Sequence, residues 1–372
     1  MQHIDDMEDD VDFRPEVNDK KIYIPMNVLD AAKKRIGLLF DHFETICVSV
    51  SGGKDSQVTF ELAYAEAQKR GRELHVFFLD QEAEYQASID VVREEINRSG
   101  VIAHWFQVPL RMTNATSYEE EFLFAWEEGK QWIREKESNS IHCTESAPDR
   151  FYDFMTWFEG EMAGACFLVG LRSEESLNRF GAVTRNPAIE GMNWTTKGNK
   201  GTVRAYPIYD WTFEDIWTFL GREKIKYNRI YDYLWAKEVS INEFRVSFLL
   251  HEKSFQSMTN LQEFEPETYQ KIIDRISGAH TAALYAKEQS VYHAGKLPKA
   301  YKTWKAYRDF LVEEMPEHRQ ATFKNRFAGQ ANTETVYRQQ VKQLLINDWE
   351  NNVPVINQPE KEDPRKKWME IL

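Results

Sequence analysis

Ser51-Gly52-Gly53-Lys54-Asp55-Ser56 places two glycines, two hydroxyls, an ammonium and a carboxylate in one short turn. The turn follows the β-branched run Ile46, Val48, Val50 and precedes a helical spacing of Val58, Leu62, Ala63 and Ala65. A strand, a glycine-rich turn and a helix in that order aim several backbone N–H groups at one point. The helix N-terminus adds partial positive charge there. The chemistry this predicts is anion binding. Glycine permits backbone conformations closed to other residues and lets a phosphate come close. Lys54 adds a point charge, and Ser51 and Ser56 add hydroxyl donors. The spacing is not that of G-x-x-x-x-G-K-[ST].

A second reactive stretch is Gly170-Leu171-Arg172-Ser173-Glu174-Glu175-Ser176-Leu177-Asn178-Arg179. Guanidinium groups bind phosphate or sulfate through paired, charge-assisted hydrogen bonds. Glu174 or Glu175 could hold an arginine in place or help bind Mg²⁺; a salt-bridged helix start is the alternative. A third stretch, residues 206–217, ends in Thr212-Phe213-Glu214-Asp215, where Thr212 can cap a helix whose apolar face holds Trp217 and Leu220.

These groups need a scaffold, and the pattern supplies one. Strands are expected at residues 45–50, 74–79, 102–108, 165–169 and 202–207. Helices are expected at 55–70, 84–99, 118–136, 148–162 and 212–220. Short apolar strands alternating with helices predict an α/β fold with a doubly wound, mainly parallel sheet. Ligands of such sheets bind beyond the carboxyl ends of the strands. The Ser51–Ser56 loop, Asp80-Gln81-Glu82 and Gly170-Leu171-Arg172 all follow strand candidates, so they should converge on one edge. Beyond about residue 236 the pattern becomes helical, which predicts a 22–236 nucleotide-type domain and a 237–372 helical domain.

The net charge of −13 disfavours nonspecific nucleic-acid binding by the whole chain. Residues 1–20 carry eight acids against Arg14 and Lys20, the composition of a solvated, disordered tail over about residues 1–21. Residues 291–345 reverse the sign, with ten Lys/Arg against five Asp/Glu and interleaved aromatics. That mixture fits either nucleic-acid contact or an amphipathic helical domain with its rings turned inward. Lys296, Lys299, Lys302, Lys305 and Arg308 would share a helical face if the segment is helical. No stretch approaches the roughly 20 apolar residues of a membrane span. Three cysteines without a paired spacing fit a reducing, cytoplasmic setting. Cys47 and Cys166 fall in apolar strands, whereas Cys143 follows His142 in a polar loop, where it is either an activated thiol or a structural one.

Together, SGGKDS, GLRSEESLNR and PIYDWTFEDIWTFL…KYNRIYD resemble the phosphoadenosine phosphosulfate reductase family within the PP-loop ATP pyrophosphatases, which also includes the small subunit of bacterial ATP sulfurylase. Residues 245–278 look like the extension of its IbrA-like branch. The resemblance implies an adenine-nucleotide alpha-hydrolase-like fold that takes ATP with Mg²⁺. It implies phosphate on Ser51, Gly52, Gly53, Lys54, Asp55 and Ser56, and adenine near Leu79 and Asp80. It also implies an anion at Arg172 and Arg179 beside Gly170. Asp55, Asp80 and Glu82 are the Mg²⁺ candidates, and Lys54, Arg172 and Arg179 the catalytic ones. IbrA-like proteins are typically encoded beside a ParB/sulfiredoxin-like protein, so such a partner is expected.

One departure from the family limits the chemistry. Its reductases use a cysteine near the C-terminus, and no cysteine follows Cys166 among these 372 residues. Three scattered cysteines cannot supply the four ligands of an iron–sulfur cluster. Three readings stand: adenylyl transfer with release of pyrophosphate, sulfur transfer to an adenylylated acceptor through Cys143, and nucleotide-dependent regulation without catalysis. With thioredoxin as donor, phosphoadenosine phosphosulfate should yield no sulfite. Sulfite release at an enzymatic rate would reinstate one of the three thiols, Cys143 first.

Overall fold

The computed structural model describes residues 24–116, 120–143, 146–175, 177–184, 187–241, 244, 246, 249, 255–285 and 294–356. The acidic stretch expected to be a tail lies outside them. In the first half, α1 (Val28–His42), β1 (Ile46–Ser49), α2 (Lys54–Arg70), β2 (Leu74–Leu79), α3 (Gln86–Ile96) and β3 (Val101–Phe106) alternate. Then come β4 (Leu110–Thr113), β5 (Phe122–Ala125), α4 (Phe151–Glu161), β6 (Cys166–Val169), α5 (Leu177–Thr184), β7 (Thr195–Lys197) and β8 (Val203–Ala205). Helices α6 (Phe213–Arg222) and α7 (Ile230–Ala236) close this part. The rest is helical: α8 (Phe255–Phe264), α9 (Pro266–Arg275), α10 (Ala279–Tyr285), α11 (Trp304–Glu313), α12 (Glu317–Phe327) and α13 (Glu334–Leu345).

Six strands form one sheet in the order β3-β2-β1-β6-β8-β7. All neighbours are parallel except the antiparallel edge pair β7–β8. Strand β1 runs between β2 and β6, with Val48 opposite both Val76 and Leu168. Alternate residues explain why the first three positions of so short a strand are all apolar. Ile46 and Val48 pack with Ile36, Leu39 and Val58 of α1 and α2. Cys47 faces the other way, with Phe77, Phe106, Phe167 and the α4 rings of Phe154 and Phe158. The doubly wound parallel sheet is therefore as the sequence predicts. Cys47 and Cys166 are buried, and burial pushes both thiols up. No helix among the described residues is long and apolar enough to cross a membrane.

Two expectations are overturned. The helix predicted over 118–136 is not formed by the described residues of that span, 120–136: β5 pairs antiparallel with β4, Leu110 opposite Ala125 and Thr113 opposite Phe122. Leu123 and Ala125 are buried and Phe122 and Phe124 half-buried, a period of two instead of 3.6. Trp126 (φ +53°) and Gly129 (φ +79°) then break any helical continuation. The lysines at 296, 299 and 302 precede α11 on a loop; only Lys305 and Arg308 are helical.

The β4–β5 hairpin is where the C-terminal helices dock. Met112, Ala115 and Leu123 pack with Met258, Leu261, Ile272 and Ile276. Arg275 donates to the Phe124 carbonyl (3.0 Å), Asn347 donates to the Asn114 carbonyl (2.8 Å), and Arg319 pairs with Glu121. The same helices reach the carboxyl edge of the sheet. The Glu265 carboxylate accepts the backbone N–H groups of Gln86 (2.8 Å) and Ala87 (3.0 Å), supplying the cap that α3 lacks locally.

One buried group works against stability. Glu95 on α3 is buried, neither carboxyl oxygen has a hydrogen-bond partner among the described residues, and burial pushes its pKa well above the ordinary 4.5. The folded chain thus holds this proton more tightly than the unfolded chain does. Its penalty is least below about pH 4.5 and grows as pH rises through the folded value. Glu95→Met should therefore stabilise the protein at pH 8 by roughly 1–3 kcal/mol, and by less at pH 5, in urea unfolding. Equal destabilisation at both pH values would show a satisfied carboxyl.

Candidate functional site

The strand order reverses between β1 and β6, and such switch points open a crevice at the carboxyl edge. The Ser51–Ser56 loop leaves β1 there, and Gly170 to Arg172 leave β6 beside it. A Cβ on Gly170 would lie 2.5 Å from the Asp55 carbonyl oxygen and 2.7 Å from the Ser56 nitrogen. Glycine at 170 is what lets the end of β6 seat against the first turn of α2.

Within the loop, Ser56 Oγ accepts the Ser51 N–H (3.2 Å) and donates to the Gly53 carbonyl (2.9 Å). Gly52 adopts φ +66°, and a Cβ there would lie 2.4 Å from the Ser88 carbonyl oxygen. The room that the sequence reading gave to a phosphate is, at this glycine, taken by the α3 backbone. Asn228 completes the fastening. Its buried amide donates to the Gly52 carbonyl (3.0 Å) and to Ser88 Oγ (2.9 Å), while its Oδ1 accepts the Ile230 N–H (3.1 Å). Asn228 was not among the predicted site residues. Its signal was its place in the Lys226-Tyr227-Asn228-Arg229-Ile230-Tyr231-Asp232 segment that carries the family resemblance.

Lys54, Asp55 and Arg172 meet in one buried ion cluster. Lys54 Nζ lies 2.8 Å from Asp55 Oδ2 and donates to the Phe244 carbonyl (3.2 Å). Arg172 Nε donates to Asp55 Oδ1 (2.6 Å), and its Nη1 lies 2.9 Å from Glu174. Glu175 lies 3.5 Å from Arg172 Nη2 and also pairs with Arg179. Three carboxylates thus match three cations, so the cluster carries no net formal charge. Tyr231 was also missed. Its hydroxyl accepts the Lys54 backbone N–H (3.2 Å), its ring lies 5.5 Å from Lys54 Nζ, and burial pushes its phenol up.

Asp80 and Glu82 have another occupation. Asp80 is fully buried; it accepts Trp105 Nε1 (3.0 Å), Gln107 Nε2 (2.8 Å) and the Glu82 N–H (3.0 Å), and pairs with Arg134. Its backbone N–H donates to the Phe106 carbonyl and its carbonyl accepts Trp126 Nε1. Glu82 sits at φ +71° and accepts the backbone N–H groups of Trp126 (2.6 Å) and Ile133 (3.0 Å). Burial raises its pKa, opposed by those donors. Both carboxylates hold the 126–134 turn in place. Leu79 is buried at the end of β2. Among the described residues, no three His, Cys, Asp or Glu side chains are grouped to hold a metal ion. Cys143 is exposed, two residues beyond Ile141, which bridges to Phe106 in parallel; His142 Nε2 donates to the Glu137 carbonyl (2.9 Å).

Residues 45–237 match the phosphoadenosine phosphosulfate reductase domain, and residues 238–366 match a domain of unknown function, DUF3440. The uncharacterized protein YbdN of Escherichia coli K12 is 27% identical over 330 residues, 83% of this chain and 80% of its own. Among solved structures, FMN adenylyltransferase of Candida glabrata with FMN and the ATP analogue AMPCPP overlaps at TM-score 0.35. That match has 14% identity and covers 55% of this chain and 58% of that one. The phosphoadenylyl-sulfate reductase of Candida auris overlaps at TM-score 0.32 with 14% identity, over 54% of this chain and 84% of that one.

Asn228→Ala would leave the Gly52 carbonyl and Ser88 hydroxyl without their shared donor. The expected cost is about 1–3 kcal/mol in urea unfolding. A stability unchanged from the wild type would show that the loop holds itself.

Proposed function

The chain belongs to the family of phosphoadenosine phosphosulfate reductase domains, and from that premise we propose that it binds an adenine nucleotide at Ser51–Ser56. We infer that it cleaves ATP between the α- and β-phosphates and passes the adenylyl group to an oxyanion acceptor. The observation that carries this reading is the meeting of Lys54 and Arg172 on Asp55 at the switch point of the sheet. Two cations from different strands are held, nearly free of solvent, at the N-terminal end of a 17-residue helix.

The roles follow from the placement. Lys54 and the first N–H groups of α2 stabilise charge that develops on the leaving pyrophosphate. Arg172, with a fork already anchored by Asp55, orients the α-phosphate or the acceptor, and Arg179 extends that surface through Glu175. Gly170 and Leu79 frame the nucleotide side. A triphosphate adds negative charge to a cluster whose formal charges already cancel. Asp55 must then share its cations, and Mg²⁺ supplies the missing positive charge. Of the three carboxylates considered for that ion, Asp55 fits, because it lies on the loop. Asp80 and Glu82 are committed to the 126–134 turn. A second reading, sulfur transfer through Cys143, rests on the exposure of that thiol near the carboxyl end of β3.

Lys54→Ala should weaken ATP binding by about tenfold or more, the loss of one charge-assisted contact, by calorimetry. Turnover should give pyrophosphate with AMP or an adenylylated product by mass spectrometry. ADP with inorganic phosphate as main products, or unchanged affinity in the variant, would remove this function.

A further inference from the structure

Residues 294–305 hold Lys296, Lys299, Lys302 and Lys305 and no acid, in a chain of net charge −13. The helix-borne cations of this region share a carboxylate. Lys305 lies 2.8 Å from Asp309, and Arg308 lies 2.6 Å from the other oxygen of the same carboxylate. Arg308 also donates to Gln340 (3.0 Å) and lies over the Tyr337 ring. The loop cations differ. Lys296, Lys299 and Lys302 are exposed, and among the described residues no carboxylate stands within ion-pair distance of them.

The described part of the loop is fastened at several points. Arg338 of α13 donates from Nε to the Ala294 carbonyl (2.6 Å) and from Nη2 to the Gly295 carbonyl (3.4 Å), with its guanidinium over the Trp304 ring. Glu334 accepts the Trp304 backbone N–H (2.8 Å), and Thr303 caps α11 through the Ala306 N–H. Tyr301 donates its N–H to the Pro298 carbonyl (3.0 Å). Three ammonium groups are therefore carried on a held framework, where their mutual repulsion is relieved only by an external anion or by salt.

Aromatic faces lie beside them. The Tyr301 ring sits 4.8 Å from that of Tyr307 and 5.3 Å from that of Phe310, and Phe310 is 40% exposed. Exposed cations flanking the half-buried Tyr301, whose ring packs against the exposed Phe310, match a single-stranded nucleic acid, which offers phosphates and unpaired base faces together. A duplex hides its base faces, and an acidic peptide has no use for the rings.

We propose that the lysine loop 294–303 and the Tyr301–Phe310 face of α11 form a docking surface for single-stranded nucleic acid. The proposal does not depend on the nucleotide site, and its test is run without ATP.

The test is fluorescence anisotropy on the full chain with a labelled oligothymidylate of about 20 nucleotides, at about 50 mM and about 200 mM salt. The triple variant Lys296→Glu, Lys299→Glu, Lys302→Glu should bind about tenfold or more weakly. Its log–log salt slope should be shallower by roughly 2, since each phosphate contact contributes about 0.7 for a single strand. Phe310→Ala should lose about fivefold or more through stacking. Lys324→Glu on α12 should bind as wild type, and all variants should keep the wild-type circular dichroism and melting temperature. Absence of salt-sensitive binding in the wild type overturns the proposal, as does wild-type affinity in the triple variant. Equal or tighter binding of a duplex of the same length, or of polyglutamate, overturns it in favour of another anionic partner.

Discussion

The carboxylate of Asp55 is the constraint around which this molecule is arranged. It accepts Arg172 through one oxygen and holds Lys54 through the other, at 2.6 and 2.8 Å. Those partners come from loops at the ends of β6 and β1, so the contact exists only because the two strands lie side by side in parallel register. Removing Asp55 would take the shared carboxylate from between two buried cations, which is costlier than losing an exposed ion pair. The close approach needs glycine at 170, because any side chain there would collide with the backbone of Asp55 and Ser56.

The helical C-terminal part is built into this edge of the sheet. Glu265 caps α3, the Phe244 carbonyl receives Lys54, and Leu249 donates its N–H to the Ala83 carbonyl. Tyr231 and Asn228 enter from α7 and the turn before it, one at the first N–H of α2 and the other at the Gly52 carbonyl. The loop that the sequence presents as an open cradle is thus supported on three sides by chain that is remote in sequence. Asp80 and Glu82 contribute in the same manner, by fixing the turn from Trp126 to Arg134.

How much of this was legible depended on range. The order of strands and helices could be read because β1, β2 and β6 are short apolar runs and α2 follows a glycine turn, all local signals. The helix expected at 118–136 failed for a local reason with a distant cause. The run Phe122–Ala125 is apolar at every position, and only its pairing with Leu110–Thr113 decides that alternate residues face inward. The lysines at 296, 299 and 302 follow a helical spacing, yet Arg338 and Glu334 fix the chain beside them as a loop.

By itself the sequence determined the doubly wound class, the loop at Ser51–Ser56, the two arginines after β6 and the burial of Cys47 and Cys166. Each is encoded by residue type within a dozen positions, where glycine conformations, strand alternation and helix capping operate. Tertiary structure alone decided which carboxylate belongs to which cation. Asp55, Asp80 and Glu82 are equivalent on paper as acids after strands. One lies between Lys54 and Arg172; the others are enclosed by Trp105, Gln107, Arg134 and the backbone of Trp126 and Ile133. A side-chain carboxylate takes its role from the donors within about 3 Å of it, and which donors come that close is set by residues tens of positions away.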